Sequence, residues 1–526
     1  NVETFNGSLN QLFLLGQKFH CVAANPPYMG GGNMNTVLLE FVKNNYPDSK
    51  TDLMACFMES GLEMLHQKGF LGMINQHSWM FLGSYENLRK KVIDNVFVDT
   101  LLHLGARTFP EIGGEVVQNT SFTFQNCSLD DSGKFIRLVD YDKSELKRTK
   151  TLEAIRNPSC GWFYLAKQQN FKKILGSPIG YFFNDASINI FENCKSLSEI
   201  TSIKKGLSTS NNERFLRFWY EVEFSKTSTS VNQFAKDKKW FLANKGGEFQ
   251  KFYGNQEYII NWENDGIELK SIKPRSVIRS PQHFFKPILA FSKISSSTFS
   301  IRKFEYGFIS IDASSYLVEF KQSIENFLLG VLNSKIFGHL LGKLTPTLNF
   351  EIGDMSKFPI PNNIDGQLNE RISNIVEEVI DITKDYVLSK ENHWLFKSNH
   401  LIIHKGTDLE ESVDLYKQYW YNKFIKLHEK EEEINRLLIA LFEMHEELIP
   451  NIKLEDLTIL KDELDEKSLG KINKQLLRDS ENNQVQNYKE ISLPFITKEI
   501  IIQLISYSVG CFFGRYSLET TGIIIT

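Results

Sequence analysis

Phe19-His20-Cys21-Val22-Ala23-Ala24-Asn25-Pro26-Pro27-Tyr28 is the stretch that decides how the rest of this chain is read. Its first six residues form a short, mostly apolar run, and Asn-Pro is a turn opener that ends it. That combination predicts a buried strand with a loop at its carboxyl end. Working outward, residues 52–67 read as a helix with Leu53, Cys56, Phe57, Leu62 and Leu65 on its apolar face, closed by Gly69. Residues 70–74 read as the next strand, 88–96 as a helix, 98–104 as a strand and 121–125 as a last strand. Strands alternating with helices predict an α/β fold with a mostly parallel sheet covered on both faces.

In such a sheet the carboxyl ends of the strands are where ligands bind, so Asn25 to Tyr28 stand at the expected site. The same four letters also make an ordinary turn; the strand before them favours a site. Their chemistry suits an aromatic amine whose lone pair is delocalised into its ring. Two acceptors aimed at the amine protons draw the nitrogen toward tetrahedral geometry and return the lone pair to it. The Asn25 carboxamide oxygen and the Pro26 carbonyl can be those acceptors, with Pro26 and Pro27 restricting the backbone. Tyr28 offers a flat face for a base taken out of its duplex.

With these residues the chain resembles the γ-type adenine-N6 DNA methyltransferases. Gly69-Phe-Leu-Gly-Met-Ile-Asn-Gln-His-Ser-Trp79 resembles that family's next strand and its polar end. Leu104-Gly-Ala-Arg-Thr-Phe-Pro110 and Val117-Gln-Asn-Thr-Ser-Phe-Thr-Phe124 resemble the loop and strand that complete the adenine pocket. The resemblance implies that Asn25, Pro26, Pro27 and Tyr28 are catalytic and that Phe109 stacks on the flipped adenine opposite Tyr28. Phe109 is also one of 41 phenylalanines, and a core position is the alternative.

Further on, Lys204-Lys-Gly-Leu-Ser-Thr-Ser-Asn-Asn-Glu-Arg-Phe-Leu-Arg217 looks like the opening of a target-recognition domain. Leu332-Asn-Ser-Lys335 and the stretch from Ile352-Gly-Asp354 to Pro361 look like its end. Lys239-Trp240, Asn244-Lys-Gly-Gly-Glu248, Asn261-Trp262-Glu263-Asn264-Asp265-Gly266 and Gly514-Arg-Tyr-Ser517 are closer still to the PglX-type methyltransferases of BREX phage-defence systems. The fold this implies is the C-terminal half of a Rossmann-like methyltransferase sheet, a mixed α/β target-recognition domain and a mainly helical C-terminal region. The expected boundaries are 1–130 for the partial catalytic domain, 131–194 for a connector, 195–362 for target recognition and 363–526 for the helices.

One departure stands out. The family places a glycine-bearing S-adenosylmethionine loop and its acidic partner before the catalytic tetrapeptide, and that cofactor motif is expected upstream of residue 1. Met29-Gly-Gly-Gly-Asn33 follows the strand but lacks the dinucleotide-loop spacing and is read as a mobile loop near the substrate. The chain opens on Asn1 and stops mid-pattern at Gly522-Ile-Ile-Ile-Thr526, so it is read as a fragment, inactive in isolation.

Composition bounds the alternatives. Across 526 residues, 41% hydrophobic and 24% charged, the chain is long enough for three or four ordinary domains. Cysteines 21, 56, 127, 160, 194 and 511 form no Cys-x-x-Cys pair, which argues against zinc and disulfides. No metal site is expected from His20, His66, His77 and His103. No apolar run reaches a membrane span of about 20 residues, so the expected location is the cytoplasm. No Walker loop or nucleophile elbow is present.

The net charge of −4 conceals a polarity: residues 201–310 carry 18 Lys/Arg against 10 Asp/Glu, whereas 391–500 carry 15 against 22. Double-stranded DNA is the expected partner of the basic middle, through Lys204, Lys205, Arg214, Arg217, Lys238, Lys239, Arg275 and Arg279, with Trp219, Tyr220, Trp240 and Tyr253 among them. Ordinary solvated surface is the alternative for each. Other phage-defence proteins are the expected partners of the acidic tail, in which Glu431 to Glu433 read as a solvated face, and a helix is predicted over 324–341 near the end of the target-recognition segment. Two rival functions remain at this point: a DNA-recognition subunit without methyl transfer, and the methyltransferase part of a fused type IIG restriction–modification enzyme.

Overall fold

A computed structural model describes residues 9, 11–13, 16–109, 117–228, 237–293, 298–344, 350, 352–362, 364–481 and 491–517. Pro110 of the pocket loop and the apolar end at 522–526 lie outside them. The chain divides into two compact units, Asn1–Cys194 with Lys343–Thr345, and Lys195–Gly342 with Pro346–Thr526.

The first unit is an α/β layer structure. Its strands are β1 (Phe19–Ala24), β2 (Leu65–Gln76), β3 (Phe97–Gly105), β4 (Asn119–Gln125), β5 (Ser132–Arg137) and β6 (Phe163–Lys167), in the sheet order β1-β2-β4-β3-β5-β6. The helices α1 (Thr36–Asn45), α2 (Leu53–Glu63) and α3 (Glu86–Asn95) connect the early strands. The segment read as a connector supplies β5, β6 and the helix Ser144–Arg156.

The sheet is mixed rather than mostly parallel. β1 runs parallel to β2 and β3 to β5, but β4 is antiparallel to both β2 and β3, and β6 to β5. In a parallel pair the two strands need a crossover between them, whereas an antiparallel strand such as β4 returns alongside its neighbours. The helix expected over 52–67 is shorter, because Asp52 caps it and it ends at Glu63. Gly69 therefore does not close a helix. It lies within β2, where a Cβ would stand 3.0 Å from the carbonyl oxygens of His20 and His66. The glycine permits a close strand approach.

The core of this unit gathers Leu71, Met73, Trp79, Leu88, Val92, Leu101, Phe122, Phe124, Phe135 and Tyr181 between sheet and helices. Fully buried Arg89 ties the loops around it, donating to the carbonyls of Trp79, Leu82, Gly176 and Ser177. β1 sits differently from its reading as a buried strand. Among the described residues it is the outermost strand, paired on one side, and Phe19, His20, Cys21 and Ala23 are exposed.

The second unit holds two larger sheets, a helical region and most of a two-stranded sheet of Cys194–Ser196 and Pro359–Pro361. Ile301–Phe304, Ile288–Ser292, Ser314–Val318 and Ser202–Lys205 form an antiparallel sheet in that order. Thr227–Ser228, Trp240–Asn244, Tyr258–Asn261 and Leu216–Phe218 form another, with Ile309–Ser310 beside Trp240–Asn244. The helix predicted over 324–341 is two helices, Glu325–Leu332 and Lys335–Leu344. The break falls at Asn333, whose side chain bonds both the N–H and the carbonyl of Ile301 at 3.0 Å. Tertiary pairing with a strand overrides the continuous helical pattern.

Helix Gly366–Leu388 packs against helix Leu409–Leu441, and this corrects the reading of the Glu431 run. Glu431 is only 3% exposed, Glu432 is buried, and the Glu431 carboxylate meets Lys251 Nζ at 2.7 Å. A buried carboxylate needs its cation, so Lys251→Ala is expected to cost about 3–5 kcal/mol in chemical denaturation. The double variant Lys251→Ala/Glu431→Ala should lose less than the single one, and an equal or larger loss would refute the pairing.

Candidate active site

β1 delivers Asn25 to the carboxyl edge of the first sheet, as the strand-then-turn pattern requires. Asn25 is exposed, Pro26 buried, Pro27 exposed and Tyr28 half-buried. The chain after the tetrapeptide is pinned by Asp52. Its Oδ1 accepts from Met29 N at 3.1 Å and from Met54 N at 3.0 Å, while Leu53 N donates to the Met29 carbonyl at 3.0 Å. One carboxylate thus caps α2 and fixes the exit of the catalytic-type loop.

The other side of the site comes from β4. Its antiparallel register sets Asn119 opposite Gln76 at the end of β2 and opposite Gly105 at the end of β3. Asn119, 1% exposed, donates from Nδ2 to the Tyr28 phenol oxygen at 2.9 Å. Burial, and then the nearby Asp52 charge, raise the Tyr28 pKa against the lowering effect of that hydrogen bond, so the phenol stays protonated. Phe109, half-buried, lines one crevice with Arg107, Thr108, Val117 and Asn119. The structure therefore brings Tyr28 and Phe109 to the same residue, Asn119. Sequence reading placed Asn119 within a pocket-completing stretch without singling it out; the signal available was a polar residue at the mouth of an apolar strand.

Beneath this edge lies a buried polar chain that the sequence reading did not foresee. His77 Nδ1 and His103 Nε2 are 2.8 Å apart, and His103 Nδ1 is 2.9 Å from the Tyr181 hydroxyl. Burial lowers the His77 pKa to about 4 and holds His103 well below the ordinary imidazole range. Both rings are neutral hydrogen-bonding groups at pH 7. Among the described residues no group of three or more His, Cys, Asp and Glu is placed to hold a metal ion.

The glycines of Met29-Gly-Gly-Gly-Asn33 do not fit a methyl-donor cradle. Gly31–Asn33 is a 3-10 turn, with Gly31 N donating to the Thr51 carbonyl and Asn33 N to the Gly30 carbonyl. Those amides face the protein's own backbone.

In the second unit, several basic residues named for DNA already have partners. Arg214 bonds Glu268 at 2.6 Å, Lys239 lies 4.0 Å from Glu263, and Arg279 donates to the Gly206 carbonyl at 2.9 Å. Arg217 and Lys238 donate to backbone carbonyls. Lys204 and Lys205 are half-buried on the strand Ser202–Lys205, and Arg275 is exposed. Trp219 and Tyr253 are buried in the core, Trp240 is half-buried, and Tyr220 is 46% exposed. No described helix is long and apolar enough to cross a membrane.

Comparisons with known proteins agree on one family. Residues 2–109 match the Eco57I restriction-modification methylase family. Over 97% of its length the chain is 34% identical to the adenine-specific methyltransferase PglX of Lacticaseibacillus casei (strain Zhang). Over 98% it is 36% identical to the adenine-specific methyltransferase BrxX of Escherichia coli O9:H4 (strain HS). The chain spans 40% of the length of each of these relatives. Among solved structures, the Type IIL restriction-modification enzyme MmeI in complex with DNA overlays 80% of this chain and 54% of its own with a TM-score of 0.50, at 12% identity. That likeness concerns the fold.

Proposed function

The chain belongs with the adenine-specific methyltransferases PglX and BrxX, and from that premise we propose that the protein carrying it methylates N6 of adenine at a specific site in duplex DNA, as part of a phage-defence system. The observation that carries the reading is Asn25-Pro26-Pro27-Tyr28 at the carboxyl end of β1, with Asn25 exposed and Tyr28 tied to Asn119. Asn25 Oδ1 and the Pro26 carbonyl accept from the adenine amine and localise its lone pair. Tyr28 and Phe109 hold the flipped ring between them. Acceptors fixed before the reaction cost no reorganisation as charge develops on the nitrogen.

S-adenosylmethionine, when bound, supplies an electrophilic methyl group. The described residues do not form its cradle, and in this reading the whole protein supplies it outside them. The two larger sheets of the second unit, with Lys204, Lys205 and Arg275, choose the DNA site, and the long helices brace them or meet other defence proteins.

The test is direct. The intact protein is incubated with DNA and isotopically labelled S-adenosylmethionine, and digested nucleosides are separated by mass spectrometry. N6-methyladenine at one recurring sequence is expected; label on cytosine, or none, overturns the reading.

A further inference from the structure

Asn119 is buried, belongs to no part of the acceptor chemistry, and yet touches both walls of the site. Its Nδ2 is 2.9 Å from the Tyr28 oxygen and 3.5 Å from the carbonyl oxygen of Asn75. A carbonyl can only accept, so the amide nitrogen, not the amide oxygen, must face both of them. Tyr28 is then the acceptor in its bond with Asn119. The same residue lines the crevice of Phe109, and its backbone is held between the ends of β2 and β3 by the register Gln76 to Asn119 to Gly105. Asn119 is thus held between two strands, whereas the Tyr28 ring packs against the edge of the core and is tied to the sheet through its phenol.

We propose that Asn119 is a positioning residue of the methyltransferase site. Its amide fixes the phenol of Tyr28, sets the plane of the ring against which the target base stacks, and keeps that plane in register with Phe109. A phenylalanine at position 28 would retain the flat face but lose the tether. A base-stacking ring turned out of plane loses overlap with the base, which is a loss of geometry rather than of chemistry. This inference rests on the adenine-methyltransferase reading of the same site.

The experiment is a double-mutant cycle in the intact protein, with single-turnover methylation and the fluorescence of 2-aminopurine at the target position as readouts. Asn119→Leu is expected to lower kcat/KM about tenfold, the effect of roughly one well-placed hydrogen bond, and to weaken the 2-aminopurine response in parallel. In a Tyr28→Phe background the same substitution should cost less than about twofold, because there is no phenol left to hold. A purely structural Asn119, needed only for the β2–β4 contact, would cost the same in both backgrounds, and that result overturns the proposal. So does an unchanged Asn119→Leu enzyme. Should Asn119→Leu fail to fold, Asn119→Ser, polar but too short to reach the phenol, runs the same cycle. A wild-type protein that leaves adenine unmethylated defeats the function reading itself, whereas an active wild type with an additive cycle defeats only the role of Asn119.

Discussion

Asn25→Ala is expected to reduce adenine methylation by about a hundredfold to a thousandfold, the usual scale for removing an aligned group from a reacting centre. The alanine keeps the backbone turn, since Pro26 and Pro27 still restrict it, but it removes the carboxamide oxygen from an exposed position. Nothing in the core depends on that side chain, so melting temperature should stay within experimental error. DNA binding should also survive, because the residues proposed to meet phosphates, Lys204, Lys205 and Arg275, lie elsewhere. Asn25→Asp restores an acceptor and should recover part of the rate. An Asn25→Ala protein with a normal rate would remove Asn25 from the mechanism, and one that loses both rate and DNA binding would make it a folding residue.

Acidification should destabilise the protein from about pH 6.5 downward, before its carboxylates begin to titrate. Burial lowers His77, His393 and His400 from the ordinary 6.5 to about 4. In the unfolded chain these imidazoles take a proton near pH 6.5, whereas in the fold they resist it until about pH 4. The unfolded state therefore binds more protons throughout that interval. Stability is intact above pH 6.5 and drains away as the pH falls toward 4, by about 3 kcal/mol for each ring. His77 acts in the first unit, while His393 and His400 act together in the second. Urea denaturation at pH 7.5, 5.5 and 4.5 measures the slope. Replacing His393 and His400 with glutamine should flatten the slope of the second unit, and a slope that survives both substitutions would place the acid sensitivity elsewhere.

The predictions differ in how much of their basis is visible in the chain as letters. The Asn25 experiment needs only the tetrapeptide and the strand before it. Both are local: a six-residue, mostly apolar run sets an extended segment, and two prolines fix the turn, whatever surrounds them. Helix α3 and strands β3 and β4 were legible for the same reason, because periodicity within a segment reports which face is buried.

What the letters did not carry was pairing across distance. The direction of β4 shows only in its pairing with β2 and β3, not in the composition of Asn119–Gln125. The break between Glu325–Leu332 and Lys335–Leu344 depends on Ile301, more than 30 residues away. Glu431 looks like a solvated charge in a charged run, and is buried only because Lys251, 180 residues earlier, reaches it. In the basic middle, too, only the structure shows that Arg214 and Lys239 lie near the carboxylates of Glu268 and Glu263.

By itself, then, the sequence determined the α/β character of the first unit, the strand that ends in Asn25-Pro26-Pro27-Tyr28 and the reaction class those residues suit. Only the tertiary structure decided that β1 is the outermost of the described strands, that Asn119 holds Tyr28, and that His77 and His103 lie buried as a neutral pair. The physical reason is range. Backbone restriction and hydrophobic period act between neighbours in sequence, whereas hydrogen bonds, ion pairs and desolvation act between neighbours in space.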